Sequence, residues 1–320
     1  EDFGDAQPVE IADLRVRTSC SERPDHTLVV PGCCPPYERP PLVRLRRDSC
    51  EWASSTLEQT RGRIAGTLSK SNAGLEAFDS ADVVVQRRVL RQLVHFLARS
   101  ADFDAERLDR EWMTKRHEIQ LDWIALPGRG APRLALFGGY VETRPFRQRK
   151  SYGANFEHVA TGRRPGNKKH YQIVSYVLGT VTVLVEVEVD ALSRQGQSVE
   201  LKTKRQTFAN GRRTEVLGQP FLDENAVDAF GQIILGGSQF LAVGLHQGGR
   251  LVAVREWTAG DLEDLVPFLK EFWPVALGRL AALLRRIRDL ALTVGVGAPL
   301  LLVVEGKHLT VQPRDGAVQR

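Results

Sequence analysis

The sequence predicts an α+β chain, a central mixed and largely antiparallel β-sheet with flanking helices. Three observations carry that expectation. Segments that alternate with the strand period recur at 117–124, 133–142, 168–190, 198–204, 239–255 and 300–312, several of them joined by turns too short for a crossover helix. Stretches with apolar residues at helical spacing occur at 80–100, 224–235 and 261–292. Composition is that of a globular chain: of 320 residues, 42% are hydrophobic and 26% charged. No stretch approaches the ~20 apolar residues that span a bilayer, so no membrane partner is expected.

Taken in order, residues 1–60 are Pro-rich, with Pro35, Pro36, Pro40 and Pro41, and read as an irregular segment packed on a single catalytic domain spanning 1–320. All four cysteines, Cys20, Cys33, Cys34 and Cys50, lie in this segment. Their wide spacing and the adjacent Cys33 and Cys34 do not match the close pairs of zinc knuckles. Free thiols in a reducing, intracellular setting, nucleus or cytoplasm, are the expectation. Between 80 and 100, Val83, Leu90, Leu93, Val94 and Leu97 recur at helical spacing with Ser80 as N-cap, which predicts one helix; His95 on it reads as packed or surface-lying. Strands follow at 117–124 and 133–142 around a turn at Pro127–Gly130. A helix starting near Tyr152 carries Glu157, and a strand from Lys168 to Leu178 runs on into 181–190. Residues 224–235 read as a helix carrying Gln232 and ending at Gly236 and Gly237. A hairpin over Gly248 and Gly249 joins 239–244 to 250–255. The last helical region, 261–292, carries the stripe Leu280, Leu283, Leu284, Ile287 and Ala291 and is expected to break near Pro274. Two strands around Gly306 end the order.

The chemistry lies between 181 and 204. Every odd position from Val181 to Val189 is valine, so Glu186, Glu188 and Asp190 share the opposite strand face. A turn at Ser193–Gln197 leads to a second alternating run with Glu200, Lys202 and Lys204 on one face. Such a hairpin gathers carboxylates that repel one another unless a cation intervenes. Hard oxygen ligands suit Mg²⁺ or Mn²⁺, as one or two ions. Lys202 in their midst can orient a phosphate or a water. A solvated strand face with ordinary cross-strand ion pairs is the plainer alternative. Three acids on one face without an interleaved base favour the metal reading.

Net charge is +5, yet residues 144–213 hold fourteen Lys or Arg against five acids. The bases cluster at Arg144–Lys150, which includes Arg147 and Arg149, at Arg163–Lys169, and at Lys202–Arg205 with Arg212 and Arg213. An acidic centre inside basic flanks suits a polyanion delivered to a metal. No dinucleotide-binding or phosphate-loop glycine motif is present.

The spacing Glu188, Asp190, Glu200, Lys202 is similar to that of the PD-(D/E)xK nuclease superfamily. Within it, Gly153–Glu157 resembles the Gly-hydrophobic-x-hydrophobic-Glu motif of the DXO-type RNA decapping exoribonucleases. Glu188–Asp190 resembles their Glu-hydrophobic-Asp, and Glu200–Lys202 their Glu-hydrophobic-Lys. Arg110–Lys115 is similar to their upstream basic segment, and Gln232 stands where they carry a Gln. The chain departs at Ala154, at Glu111 in place of Gly, and at Leu245 and His246, where an Arg follows the glycine. The resemblance implies a PD-(D/E)xK-like core. Metal ligands would be Glu157, Glu188, Asp190, Glu200 and the Leu201 carbonyl, and catalytic residues Glu200, Lys202 and Gln232. Arg110, Lys115, Arg147, Arg149, Lys150, Lys204 and Arg205 would contact RNA phosphates. The implied activity is divalent-metal-dependent hydrolysis at RNA 5′ ends: triphosphates, incomplete caps or NAD-type caps, with 5′→3′ degradation. The implied partners are such RNAs and a 5′→3′ exoribonuclease. Two alternatives stay open, a DNA endonuclease of the same superfamily and a non-catalytic RNA 5′-end-binding subunit.

Overall fold

The computed structural model describes residues 6–23, 25–47, 56–99, 116–140, 152–162, 169–206 and 219–314. Among them a nine-stranded sheet is formed by β1 (Ile11–Glu22), β2 (Leu28–Val29), β3 (Val83–Gln86), β4 (His117–Ile124), β5 (Arg133–Tyr140), β6 (Lys169–Leu178), β7 (Val181–Glu188), β12 (Leu300–Glu305) and β13 (His308–Pro313). Their spatial order is β13-β12-β4-β5-β3-β7-β6-β1-β2. A four-stranded sheet holds β8 (Ala191–Leu192), β9 (Ser198–Arg205), β10 (Phe240–Gln247) and β11 (Arg250–Trp257), in the order β11-β10-β9-β8. Only β3–β5, β3–β7 and β9–β10 pair in parallel among the described strands, so both sheets are mixed and mainly antiparallel, as expected. The helices are α1 (Leu57–Ser69), α2 (Asn72–Ser80), α3 (Arg87–Arg99), α4 (Gly153–Thr161), α5 (Gln219–Gly236), α6 (Ala259–Leu265) and α7 (Phe268–Val294).

The central strand is the largest departure from the sequence reading. Val83–Gln86 is β3, and the helix starts only at Arg87; Ser80 ends α2 instead of capping α3. Three consecutive β-branched valines resist a helix and fit a strand between two parallel neighbours. Val83 and Val85 face one core with Leu90, Leu93, Leu97, Phe230, Phe272 and Leu284. Val84 faces a second core with Ile64, Leu68, Phe78, Ile173 and Leu184. Each such buried side chain contributes about 1.5–3 kcal/mol.

Other boundaries move as well. The expected irregular segment 1–60 contains the twelve-residue β1, paired with β6 through two register shifts. Polar residues alternating unevenly along it, and Asp13 at φ 54°, conceal the strand period. Lys169 to Glu188 is two strands, turned back at Gly179, and not one continuous strand. The C-terminal helical region breaks at Val266–Pro267; Pro274 sits within α7, and its carbonyl accepts a hydrogen bond from the Val9 N–H (2.9 Å). The stripe from Leu280 to Ala291 is buried, as read. Among the described residues Cys20, Cys33 and Cys34 form no disulfide with one another, and Cys50 lies outside them. No described helix is long and apolar enough to cross a membrane.

Two features position the acidic residues. The chain leaves the large sheet after Glu188 and enters the small one as β8, so the acids stand where the sheets meet. Of β9, strand β8 covers only Ser198 and Val199, which leaves that edge of β9 uncovered from Glu200 onward among the described residues.

Candidate active site

The expected hairpin of two long acidic strands is therefore a junction: β7 lies in one sheet and β9 in the other. The period-two rule places Glu186 beside Glu188, but Glu186 turns away from the junction. Its carboxylate is buried against Arg63 (Nε to Oε1, 2.7 Å) and accepts from Gln86 Nε2 (2.9 Å). For Glu186 the plain ion-pair reading holds.

The remaining acids converge. Glu157 is brought in by α4, which rests on β9 and β10 through the fully buried Phe156. Gly244 on β10 makes that approach feasible, because a Cβ there would stand 2.5 Å from Phe156 Cε2. Burial raises the Glu157 carboxyl to about 7; Lys202 pulls it down, and Glu188 and Glu200 push it up. Asp190 is raised well above the carboxylate range by burial and by Glu200, while its Oδ2 accepts from the Leu201 N–H (2.8 Å). The N–H and C=O of one strand residue point to the same edge, so the Leu201 carbonyl also faces the junction. Glu188, at the end of β7, is the most open of the four, with Lys169 Nζ 3.6 Å from Oε1.

Glu200 behaves differently. Burial opposes its charge, but Arg87 and Lys202 outweigh burial and hold its carboxyl down at about 2. Arg87 Nη1 lies 2.8 Å from Oε2, and Lys202 Nζ donates to Oε1 at 2.5 Å. Lys202 in turn is raised, burial notwithstanding, by Glu200 and Asp190. Gln232, on α5, donates from Nε2 to Asp228 Oδ2 (2.7 Å), and its buried Oε1 has no partner among the described residues. Asp228 is itself gripped by Arg91 through both oxygens and approached by His95.

Arg87 is the site residue that sequence reasoning missed. Burial opposes its charge, yet Glu200, Asp190 and Glu188 raise its pKa, and its guanidinium also donates to the Gln232 carbonyl (3.2 Å). Gly236 leaves it room, since a Cβ there would lie 2.9 Å from Nη1. The signal was the polar Gln86, Arg87 and Arg88 directly after a valine run, the signature of a strand end. Of the expected phosphate contacts, Lys204 and Arg205 continue β9 beyond Lys202. Arg110, Lys115, Arg147, Arg149 and Lys150 lie outside the described residues.

The donor set is all oxygen, which fits a hard divalent cation. Burial first, and the neighbouring carboxylates after it, raise Glu157 and Asp190 in spite of Lys202. Among the described residues no three acidic, His or Cys side chains are already drawn into coordination distance of a common point. Both oxygens of Glu200 are instead taken by Arg87 and Lys202.

No family model matches this sequence, and no curated protein gives a significant match. Solved structures do match. Rai1 of S. pombe, in complex with 3′-FADP, superposes with a TM-score of 0.67 at 13% identity over 98% of both chains. Rai1 of Candida albicans, in complex with pU5 and Mn²⁺, gives 0.70 at 13% identity over 98% of this chain and 93% of that one. Dxo1 of K. lactis, in complex with manganese, gives 0.61 at 12% identity over 99% and 94%. This chain has the Rai1/Dxo1 fold. The likeness spans nearly the whole chain.

Proposed function

We propose that this chain is a divalent-metal-dependent hydrolase of RNA 5′ ends, a DXO-type enzyme acting on triphosphate, incomplete-cap or nucleotide-cap ends. The observation that carries the reading is the convergence of Glu157, Glu188, Asp190 and Glu200 around Lys202, set in the Rai1/Dxo1 fold. The ligands held by the similar structures support it: 3′-FADP with S. pombe Rai1, (3′-NADP)⁺ and calcium with Scheffersomyces stipitis Rai1, and pU5 with Mn²⁺ in Candida albicans Rai1.

The four carboxylates and the Leu201 carbonyl would hold Mg²⁺ or Mn²⁺, which supplies Lewis-acid activation of water and stabilises phosphoryl oxygens. Lys202 Nζ donates to a non-bridging phosphate oxygen as charge builds on it. Arg87 keeps Glu200 ionised and its carboxylate fixed. Gln232 Oε1 accepts from the attacking water, its amide held by Asp228. Lys204 and Arg205 neutralise the backbone that follows the end.

The test is to incubate the protein with triphosphate-, cap- and NAD-ended RNAs plus Mg²⁺ or Mn²⁺ and to weigh the released products. Release of pyrophosphate, cap or NAD-derived fragments that stops with EDTA and with Asp190→Asn is expected. Intact ends under every condition would sink the reading. The capture of both Glu200 oxygens by internal cations favours one rival, a non-catalytic 5′-end-binding subunit. Tight binding of triphosphorylated RNA in EDTA without turnover in metal would establish that rival.

A further inference from the structure

Beyond Glu200, the small sheet ends in a group of exposed arginines. The segment 43–47 is stitched to the β10–β11 turn by Leu45 N–H to the Gly249 carbonyl (2.7 Å) and Leu251 N–H to the Val43 carbonyl (2.8 Å). It presents Arg44, Arg46 and Arg47 to solvent, and Arg205 ends β9 beside His246 on β10. Among the described residues none of these four guanidinium groups has a carboxylate partner.

Aromatic rings lie among these charges. Arg47 Nε donates to the Tyr152 hydroxyl (3.1 Å), and its guanidinium stands 5.2 Å from that ring's centre. The Tyr152 ring lies 4.4 Å from the His246 ring, centre to centre, at 56°. His246 is buried at 6% exposure, and its Nδ1 has no hydrogen-bond partner among the described residues. Burial, then Arg205 and Arg47, push the His246 pKa down, and no acid figures among the groups acting on it. A cavity of about 530 Å³, open to solvent, is lined by Arg44, Arg46, Arg47 and Tyr152, a size within the ordinary range for ligand sites.

We infer that this basic-aromatic platform is a second binding site, one that stacks a base and holds the phosphates of the single-stranded RNA body leading away from the reacting end. The inference rests on the RNA 5′-end reading above. Unbalanced arginines by themselves would serve solubility. An aromatic pair wedged among them, with a buried ring nitrogen lacking a partner, has the composition of a single-strand stacking platform. Distance agrees. Tyr152 precedes Glu157 by five residues of chain, about 7 Å of helix rise. Arg205 follows Lys202 by about 10 Å of strand. One short strand of RNA can reach both places.

The test uses the full chain, with the exposed pair Arg46→Glu and Arg47→Glu combined and, separately, Tyr152→Leu and Tyr152→Phe. Anisotropy of a labelled single-stranded RNA of about ten nucleotides is read in EDTA. The double reversal is expected to weaken binding by about tenfold and to flatten the salt slope by about 1.4, the loss of two phosphate contacts. Tyr152→Leu is expected to weaken binding about tenfold while Tyr152→Phe binds as the parent. In Mg²⁺, KM should rise for the long RNA and stay unchanged for a triphosphorylated dinucleotide. Unaltered binding by the double reversal overturns the inference, as does equal loss on long and dinucleotide substrates. If the parent hydrolyses no 5′ end yet the variants lose binding in EDTA, the platform stands and the hydrolase reading falls. If hydrolysis proceeds and the variants bind normally, the platform alone falls.

Discussion

Arg87→Met is the perturbation whose outcome the site's electrostatics define most sharply. Glu200 is 3% exposed and owes its ionised state to Arg87 at 2.8 Å and Lys202 at 2.5 Å. Removing one partner of a buried pair costs about 3–5 kcal/mol, because the other charge stays buried. Lys202 remains, which places the effect at the lower end, about 3 kcal/mol. Against a total stability of about 5–15 kcal/mol, that is a large fraction. Urea unfolding of the metal-free protein near neutral pH measures it. Glu200→Gln in the same chain should restore most of the loss, since a neutral amide no longer needs the guanidinium. Saturating Mn²⁺ should restore part of it, about 2.7 kcal/mol at a hundred times Kd. A loss under about 0.5 kcal/mol, the level of an ordinary surface change, or a failure of Glu200→Gln to compensate, would refute the account of how Glu200 is held.

Three further outcomes follow from the same geometry. Gly244→Ala drives a methyl into Phe156 and displaces α4; stability should fall by about 1–3 kcal/mol and hydrolysis by about a hundredfold, with Phe156→Leu relieving both. Asp228→Asn releases Arg91 and frees the Gln232 amide; stability should fall by about 3–5 kcal/mol, and an unchanged urea midpoint would contradict the tether. Without metal, folded Glu157, raised to about 7, and the raised Asp190 hold protons that the unfolded chain releases. Stability should therefore fall as pH rises from the ordinary carboxylate range to about 7. Glu200, held down at about 2, contributes a constant amount across that window. Mn²⁺ should flatten the slope, and a midpoint that climbs with pH in metal-free buffer would contradict the crowding of these acids.

Much of this fold is written in periodicity. β4, β11 and the buried stripe of α7 follow directly from it, because each has one face on a core and the other toward solvent. β3 does not, since a strand buried on both faces is uniformly apolar and merges with the helix after it. The acids that matter were visible as spaced pairs, but sequence spacing cannot show that Glu186 is claimed by Arg63 from α1, a partner more than a hundred residues away. Arg87 was hidden for the same reason: it enters the site through a parallel pairing of β3 with β7 that no local pattern encodes. The platform of Arg47, Tyr152 and His246 joins three distant segments, so only the folded chain displays it.

The central claim is that four acidic side chains are gathered for a doubly charged ion, and Mn²⁺ binding followed by electron paramagnetic resonance tests it most directly. The account predicts uptake by the parent chain that Asp190→Asn and Glu200→Gln each weaken severely, while both variants keep the parent's far-ultraviolet circular dichroism. Free-ion Mn²⁺ spectra in the presence of well-folded parent protein would contradict it.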